Sequence, residues 1–362
     1  MKVICTVTTD LTYDQRMIRI CTSLSQAGHQ VMLVGRVLPN SKPLQNRNYQ
    51  QYRLKCFFHK GKFFYLEYNL RLLIWLLTQK MDVLYAVDLD TLFPAFLVRK
   101  LRRIKLIYDA HEYFTETPEV TDRKFTKSIW EALAKRAIPS ADACITVGTA
   151  LADLMGKRYQ QHFYVIRNVP FPQQIASVKK AEPPVLLYQG ALNEGRGLEE
   201  MINAMPYFKN VQLWLAGEGD LSQQLRQQVQ DLQLEEQVHF LGYVQPHDLR
   251  KITLQASVGL NLLQNKGLSY YYSLANKAFD YIQAEVPSIN MAFPEYIALQ
   301  QAYETFELVD NLETETLVKA VQNLLSDAEN YRQRLENCRH AKQFLHWEKE
   351  EKVLLELMKV PL

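Results

Sequence analysis

Short apolar runs alternate with longer segments of helical periodicity over nearly the whole of this chain, and that rhythm leaves few folds open. In the first half Lys2–Val7 reads as a strand, Tyr13–Ala27 as an amphipathic helix and Val31–Gly35 as the next strand. Val83–Val87, Lys105–Tyr108, Ala143–Val147 and Phe163–Ile166 continue the series. Strands separated by helices pair in parallel, and a parallel sheet is covered on both faces. In the second half Val185–Gln189, Val211–Ala216, Val238–Leu241, Val258–Leu262, Ser288–Met291 and Phe306–Val309 repeat the pattern. Helices are predicted up to Met205, over Leu221–Leu232 and from near Ser273, and two long helical segments, about 314–343 and 345–359, close the chain.

Between the halves, residues 168–184 are polar and proline-rich and read as a linker. A length of 362 residues fits two domains. The expected fold is α/β, with two doubly wound Rossmann-like domains facing a central cleft: residues 1–170 and residues 171–344, the last helix (about 345–362) packing back on the first. In open parallel sheets ligands bind beyond the carboxyl ends of the strands, so the cleft is the expected site.

A net charge of +3 conceals an asymmetry: residues 1–172 carry 25 Lys and Arg against 14 Asp and Glu, whereas residues 173–362 carry 17 against 25. The basic half is expected to meet something anionic. Phe57, Phe58, Phe63, Phe64, Tyr65 and Trp75 are interleaved with His59, Lys60, Lys62 and Arg71, and Arg99, Lys100, Arg102, Arg103 and Lys105 follow. Aromatics beside cations suit an anionic membrane surface, and no recognition motif supports a nucleic acid. The longest apolar segment, Phe63–Leu77, is interrupted by Glu67, Asn69 and Arg71 and does not read as a span. Five scattered cysteines without a CxxC pair, and a start that runs straight into a strand, point to a cytoplasmic protein with reduced thiols.

Two stretches place charged groups at a helix start. In LLYQGALNEGRG (186–197), Gly190, Gly195 and Gly197 let the backbone turn after a strand, and Arg196 adds a cation. In the run 267–287, Ser273 is the expected N-cap, and Asn276, Lys277 and Asp280 share a helical face. Helix N-termini favour phosphate, and a cation, an amide and a carboxylate together suit a nucleoside diphosphate and its ribose. Gly217 and Gly219 end the strand before them and allow close approach of a ligand or form a simple turn, and Tyr243 could contact a base.

In the first half, Thr12 and Gln15 match a capping box, which puts Arg16 in the first helical turn, to bind a donor or acceptor phosphate or to pair with Asp10 or Asp14. Asp109, His111 and Glu112 follow the strand KLIY; a histidine with a carboxylate there positions a sugar hydroxyl or works as an acid–base pair. Asp88 and Asp90 follow another strand, as a metal chelate or as hydrogen-bond acceptors for acceptor hydroxyls, the second use being the expected one. No GxGxxG follows the first strand, which argues against a dinucleotide oxidoreductase.

Over nearly its whole length the chain resembles glycosyltransferases of the GT-B fold, most like the retaining enzymes of family 4. The resemblance rests on YDAHE (108–112), RNVP (167–170), the YQG…GRG loop, FLGYV (240–244) and NKAFDYIQAEVPS (276–288), in family order, the last being similar to a version found in bacterial surface-polysaccharide transferases. It implies a nucleotide sugar on the C-terminal domain, a glycan or lipid-linked acceptor on the N-terminal domain, and no metal or other cofactor; the basic, aromatic character of that N-terminal half places the expected acceptor at the inner face of the plasma membrane. Arg196 corresponds to a diphosphate cation, Asp280 to the ribose carboxylate, His111 to the histidine near the reacting sugar and Arg16 to a basic first-loop residue; His111, Arg196 and Asp280 are the expected catalytic set. The family pattern is broken at Tyr272, where a glutamate is usual, at Ala191 for a second arginine, at Ala275 for proline and at Glu285 for glycine. Two other readings stay open: a scaffold that keeps the fold without turnover, and a non-hydrolysing sugar-nucleotide epimerase.

Overall fold

In the computed structural model, which describes residues 1–172 and 178–359, seven strands form the first sheet: β1 (Lys2–Thr6), β2 (Gln30–Arg36), β3 (Gln50–Leu54), β4 (Val83–Val87), β5 (Lys105–Ala110), β6 (Ala143–Thr146) and β7 (Phe163–Val165). All pair in parallel in the order β3-β2-β1-β4-β5-β6-β7. Val3 of central β1 lies opposite Val31 of β2 and Val83 of β4. Strand order reverses at β1 and β4, so the loops leaving their carboxyl ends diverge and open a crevice. Every residue of β4 and β5 is buried, as parallel strands covered by helices require. Strand β3, QQYRL, shows no apolar run that predicts a strand. It is an edge strand with polar residues on its open side, so it lacks the apolar run that marks the others.

The second sheet comprises β8 (Val185–Gln189), β9 (Gln212–Ala216), β10 (Val238–Gly242), β11 (Val258–Asn261), β12 (Ser288–Met291) and β13 (Phe306–Val309), in the order β10-β9-β8-β11-β12-β13. Leu187 of β8 faces Trp214 of β9 on one side and Gly259 of β11 on the other, so the reversal falls between β8 and β11. The closing helical pattern at 314–343 is broken into Thr314–Leu325 and Ala328–Ala341. The carboxylate of Asp327 accepts hydrogen bonds from the N–H groups of Glu329 and Asn330 and starts a new helix there.

The chain divides into two compact units, Met1–Asn168 with Glu348–Leu362, and Val169–Trp347. The helix Trp347–Lys359 packs in the first unit: Glu350 accepts from the Arg167 N–H at 2.7 Å, Glu351 from the Ser23 hydroxyl at 2.5 Å, and Leu354, Leu357 and Met358 are buried. Part of the expected linker (173–177) and the last residues of the expected terminal helix (360–362) lie outside the described residues. Among the described residues no helix is long and apolar enough to cross a membrane.

Candidate active site

In the first unit the helix Gln15–Gln26 is capped by Asp14, whose carboxylate accepts from the Met17 N–H at 3.1 Å; the Thr12–Gln15 box does not form. Arg16 turns inward and is only 2% exposed. Its Nε and Nη2 donate to Asp109 at 2.9 and 2.7 Å, and its Nη1 to the Ile166 carbonyl at 2.7 Å. Asp109 is the penultimate residue of β5 rather than a loop residue, and it also accepts from the Tyr85 hydroxyl at 2.7 Å. This corrects the expectation that Arg16 meets a phosphate: a guanidinium out of water needs a carboxylate, and all three of its nitrogens are engaged. Burial favours a neutral Asp109, but Arg16 and then His111 outweigh it and hold that carboxyl well below the usual range.

His111 follows β5 directly. Its Nε2 stands 3.3 Å from Asp109, its Nδ1 3.7 Å from Asp88, and its backbone N–H donates to Asp88 at 2.9 Å. Burial works against an imidazolium, yet the carboxylates of Asp88 and Asp109 outweigh it and raise His111 to about 9. At neutral pH the ring is therefore a cation that donates hydrogen bonds, which favours the positioning role over the acid–base one. Asp88 begins its helix at φ 53°, a left-handed conformation costly for a residue with a Cβ. Burial pushes it up to about 7 against the pull of His111.

Asp90 lies deeper than Asp88, against the first loop. It is 7% exposed and accepts from the Thr8 hydroxyl at 2.7 Å, which ties it to the first loop. Glu112 is exposed, and the carboxylates at the histidine are Asp88 and Asp109 instead.

The second unit gathers its charged groups around the reversal between β8 and β11. Gly190 leaves β8 at φ 134°, and the loop continues to Arg196, whose guanidinium lies 5.5 Å from the Tyr270 ring centre. The helix Asn276–Gln283 begins after Ala275 without a side-chain cap. The expected cap, Ser273, instead donates its hydroxyl to the Tyr270 carbonyl at 2.8 Å, closing the preceding turn. Asn276 is exposed at the helix start. Lys277 Nζ sits 3.7 Å from the Tyr188 ring centre and 3.5 Å from the point a Cβ on Gly190 would occupy. Desolvation first, and then Arg196, lower Lys277 to about 7 against the pull of Asp280. Asp280 accepts from Gln189 Nε2 at 3.1 Å, and Gln189 Oε1 accepts from the Thr253 hydroxyl at 2.8 Å.

Close packing of neighbouring loops by itself requires glycine at Gly217 and Gly219. A Cβ on Gly217 would fall 1.9 Å from the Gly190 carbonyl oxygen, and one on Gly219 2.3 Å from Asn193 Oδ1. The loops after β8 and β9 thus pack backbone against backbone. Tyr243, just past β10, is 60% exposed. A cavity of about 400 Å³ in this unit, beyond β12 and β13, is lined by Glu200, Gln264, Tyr271, Phe293 and Asp310 among others, and includes none of the sequence-predicted residues.

Two family profiles divide the chain between them. One described as Glycosyltransferase Family 4 matches residues 15–169, and one described as Glycosyl transferases group 1 matches residues 171–341. The chain belongs to the family 4-like glycosyltransferases. Its sheets of seven and six parallel strands are the GT-B fold. Sucrose-phosphate synthase from Thermosynechococcus elongatus superposes with a TM-score of 0.80 at 17% identity, covering 99% of this chain and 98% of that one. HepE from Anabaena in complex with UDP gives 0.74 at 13%, covering 99% and 100%. WaaG, a glycosyltransferase involved in lipopolysaccharide biosynthesis, gives 0.76 at 14%, covering 99% and 100%. No curated protein matches the sequence.

The glycosyltransferase departs from the family pattern at places the structure explains in part. Tyr272 stacks edge-on against Tyr271 at 5.2 Å. Ala275 has φ −73°, which proline would also adopt, but its N–H donates to the Tyr296 hydroxyl at 2.9 Å. Ala191 is exposed, and beside it Lys277 brings a cation to the loop where the family's second arginine is missing. Tyr188, Gln189, Tyr85 and Asp88's grip on the histidine were not singled out from sequence as working groups; the one signal for the first two was their place at the strand end before Gly190.

Proposed function

We propose that this glycosyltransferase moves a sugar from a nucleoside-diphosphate sugar, UDP- or GDP-linked, to a hydroxyl of a polysaccharide or lipid-linked glycan. Its second unit binds the donor and its first unit the acceptor, and it works in the cytoplasm as a peripheral protein at the inner face of the plasma membrane. The observation that carries this reading is the convergence of Arg196, Lys277 and the uncapped start of helix Asn276–Gln283 beside Asp280, at the point where strand order reverses. HepE in complex with UDP-glucose and the part WaaG takes in lipopolysaccharide biosynthesis support the donor and acceptor classes.

Two cations and a helix terminus neutralise the departing diphosphate as its charge develops, the role a metal ion would otherwise fill, so the reaction proceeds without metal or other cofactor. Asp280, held by Gln189, accepts hydrogen bonds from ribose hydroxyls and positions the donor. His111, held as a cation by Asp88 and Asp109, donates a hydrogen bond to a sugar oxygen and leaves the acceptor's proton to another base. That proton passes to an oxygen of the leaving phosphate, on the face it leaves from, and the anomeric configuration is retained.

Calorimetric titration with UDP, GDP, ADP and CMP tests the reading. One nucleoside diphosphate should bind, Asp280→Ala should weaken it about tenfold or more, and Arg196→Ala should lower donor turnover by about a hundredfold. Failure of all four to bind the parent protein would leave a scaffold, which Tyr272 and Ala191 would then explain.

A further inference from the structure

The helix Gly61–Thr78 has two apolar faces. Phe64, Tyr68, Leu72 and Leu76, four residues apart, are buried in the first unit. On the other side Phe63, Leu66, Leu70 and Ile74, spaced three, four and four, are 55, 69, 56 and 58% exposed. A surface helix normally turns charged and polar residues outward, and contiguous exposed apolar area of this kind marks an interaction surface. The preceding loop extends it. Phe57 is 83% and Phe58 50% exposed, the Phe58 and Phe63 rings lie 5.5 Å apart, and the Arg71 guanidinium is 5.2 Å from the Phe57 ring.

Glu67 fixes this arrangement. Its carboxylate accepts the N–H groups of Phe57 and Phe58 at 2.9 Å and Arg71 Nε at 2.8 Å, so the aromatic tip is pinned to the helix before any partner arrives. The surrounding charge is one-sided: Lys55, Lys60, Lys62 and Lys80 are exposed around the patch, and Glu67 is committed to Arg71. Facing a second copy of itself, such a rim would set cation against cation. An anionic headgroup layer neutralises it, and the long side chains can snorkel around a shallowly inserted apolar stripe.

We propose that the outer face of helix Gly61–Thr78, with the Phe57–Phe58 tip, docks on an anionic lipid bilayer. This rests on the proposed membrane-side acceptor and assigns it a surface.

Co-sedimentation of the full chain with phosphatidylcholine vesicles, with and without phosphatidylglycerol, tests it. Binding is expected only with phosphatidylglycerol and should weaken with added salt. The triple variant Leu66→Ser, Leu70→Ser, Ile74→Ser should lower vesicle affinity at least about tenfold, and Lys60→Glu with Lys62→Glu similarly. Both variants should keep the parent's melting curve and its calorimetric nucleoside-diphosphate binding, which belongs to the other unit. Three results would overturn the proposal: no binding of the parent to either vesicle, unchanged binding of the triple variant, or a parent dimer in solution that the triple variant dissolves. Loss of nucleotide binding in the parent with vesicle binding intact would remove the proposed function and leave this surface standing.

Discussion

Lys277 has its ammonium against the Tyr188 ring and Arg196 nearby, and desolvation and that second cation together bring it down to about 7. A diphosphate entering the site reverses the balance, because the anion favours the charged amine. Below pH 7 the lysine is already protonated, so binding takes up no proton there. Above pH 7 the empty site holds a neutral amine, and each bound diphosphate must draw one proton from solution. The dissociation constant for the nucleoside diphosphate should therefore rise between pH 7 and 9, by at most about tenfold per pH unit. Titration at pH 8 in two buffers of different ionisation enthalpy should show uptake of close to one proton, which Lys277→Met abolishes. That variant should melt close to the parent, since the desolvation it relieves is offset by the contact with the Tyr188 ring that it loses. Much of this site was legible residue by residue, because glycine turns and charges at a helix start are local features. Arg16 was not: its partner Asp109 lies 93 residues away and reaches it only through the pairing of β1, β4 and β5, which no local pattern displays.

At the scale of an element, Glu285 shows how a departure from the family pattern is accommodated. It follows the helix Asn276–Gln283 in the left-handed region at φ 53°, and the Glu285 and Val286 N–H groups return to the Ile282 and Tyr281 carbonyls, a Schellman close that favours glycine. Its carboxylate accepts from Arg339 Nε at 2.7 Å and from Lys342, both on helix Ala328–Ala341 and its end. Glycine would relieve the backbone but lose both ion pairs; alanine would lose the pairs and keep the strain. Urea denaturation should find Glu285→Gly within about 1 kcal/mol of the parent and Glu285→Ala destabilised by about 1 kcal/mol more than that. Elements themselves were readable where a strand carries an apolar run, as in all six strands of the second sheet, including edge strand β10, of which only Val238 is buried. Strand β3 escaped because an edge strand need not be apolar, and the break at Ser326–Asp327 escaped because helical periodicity runs through it on both sides.

For the whole molecule, the chain returns from the second unit to the first at Glu348, so unit 1 is completed only by the last stretch of sequence. The amphipathic pattern of 347–359 asks for an apolar partner without saying whose; the answer lies in Leu354, Leu357 and Met358, which are 0, 5 and 3% exposed, and in Glu350, which binds Arg167. Burying a leucine or methionine side chain contributes about 1.5–3 kcal/mol, so losing these three removes several kcal/mol from a unit whose total stability is on the order of 5–15 kcal/mol. A chain ending at Trp347, the last residue of unit 2, should therefore lose or sharply lower the thermal transition of unit 1. Unit 2 contains the whole proposed donor site, so its transition should persist and still rise with added nucleoside diphosphate, by about 2.7 kcal/mol at a hundredfold excess over the dissociation constant. Differential scanning calorimetry of parent and truncated chains, each with and without nucleotide, checks both halves of this expectation. Equal depression of both transitions would mean that the donor unit draws its stability from the first unit as well, and the separation of acceptor and donor units proposed here would have to be given up.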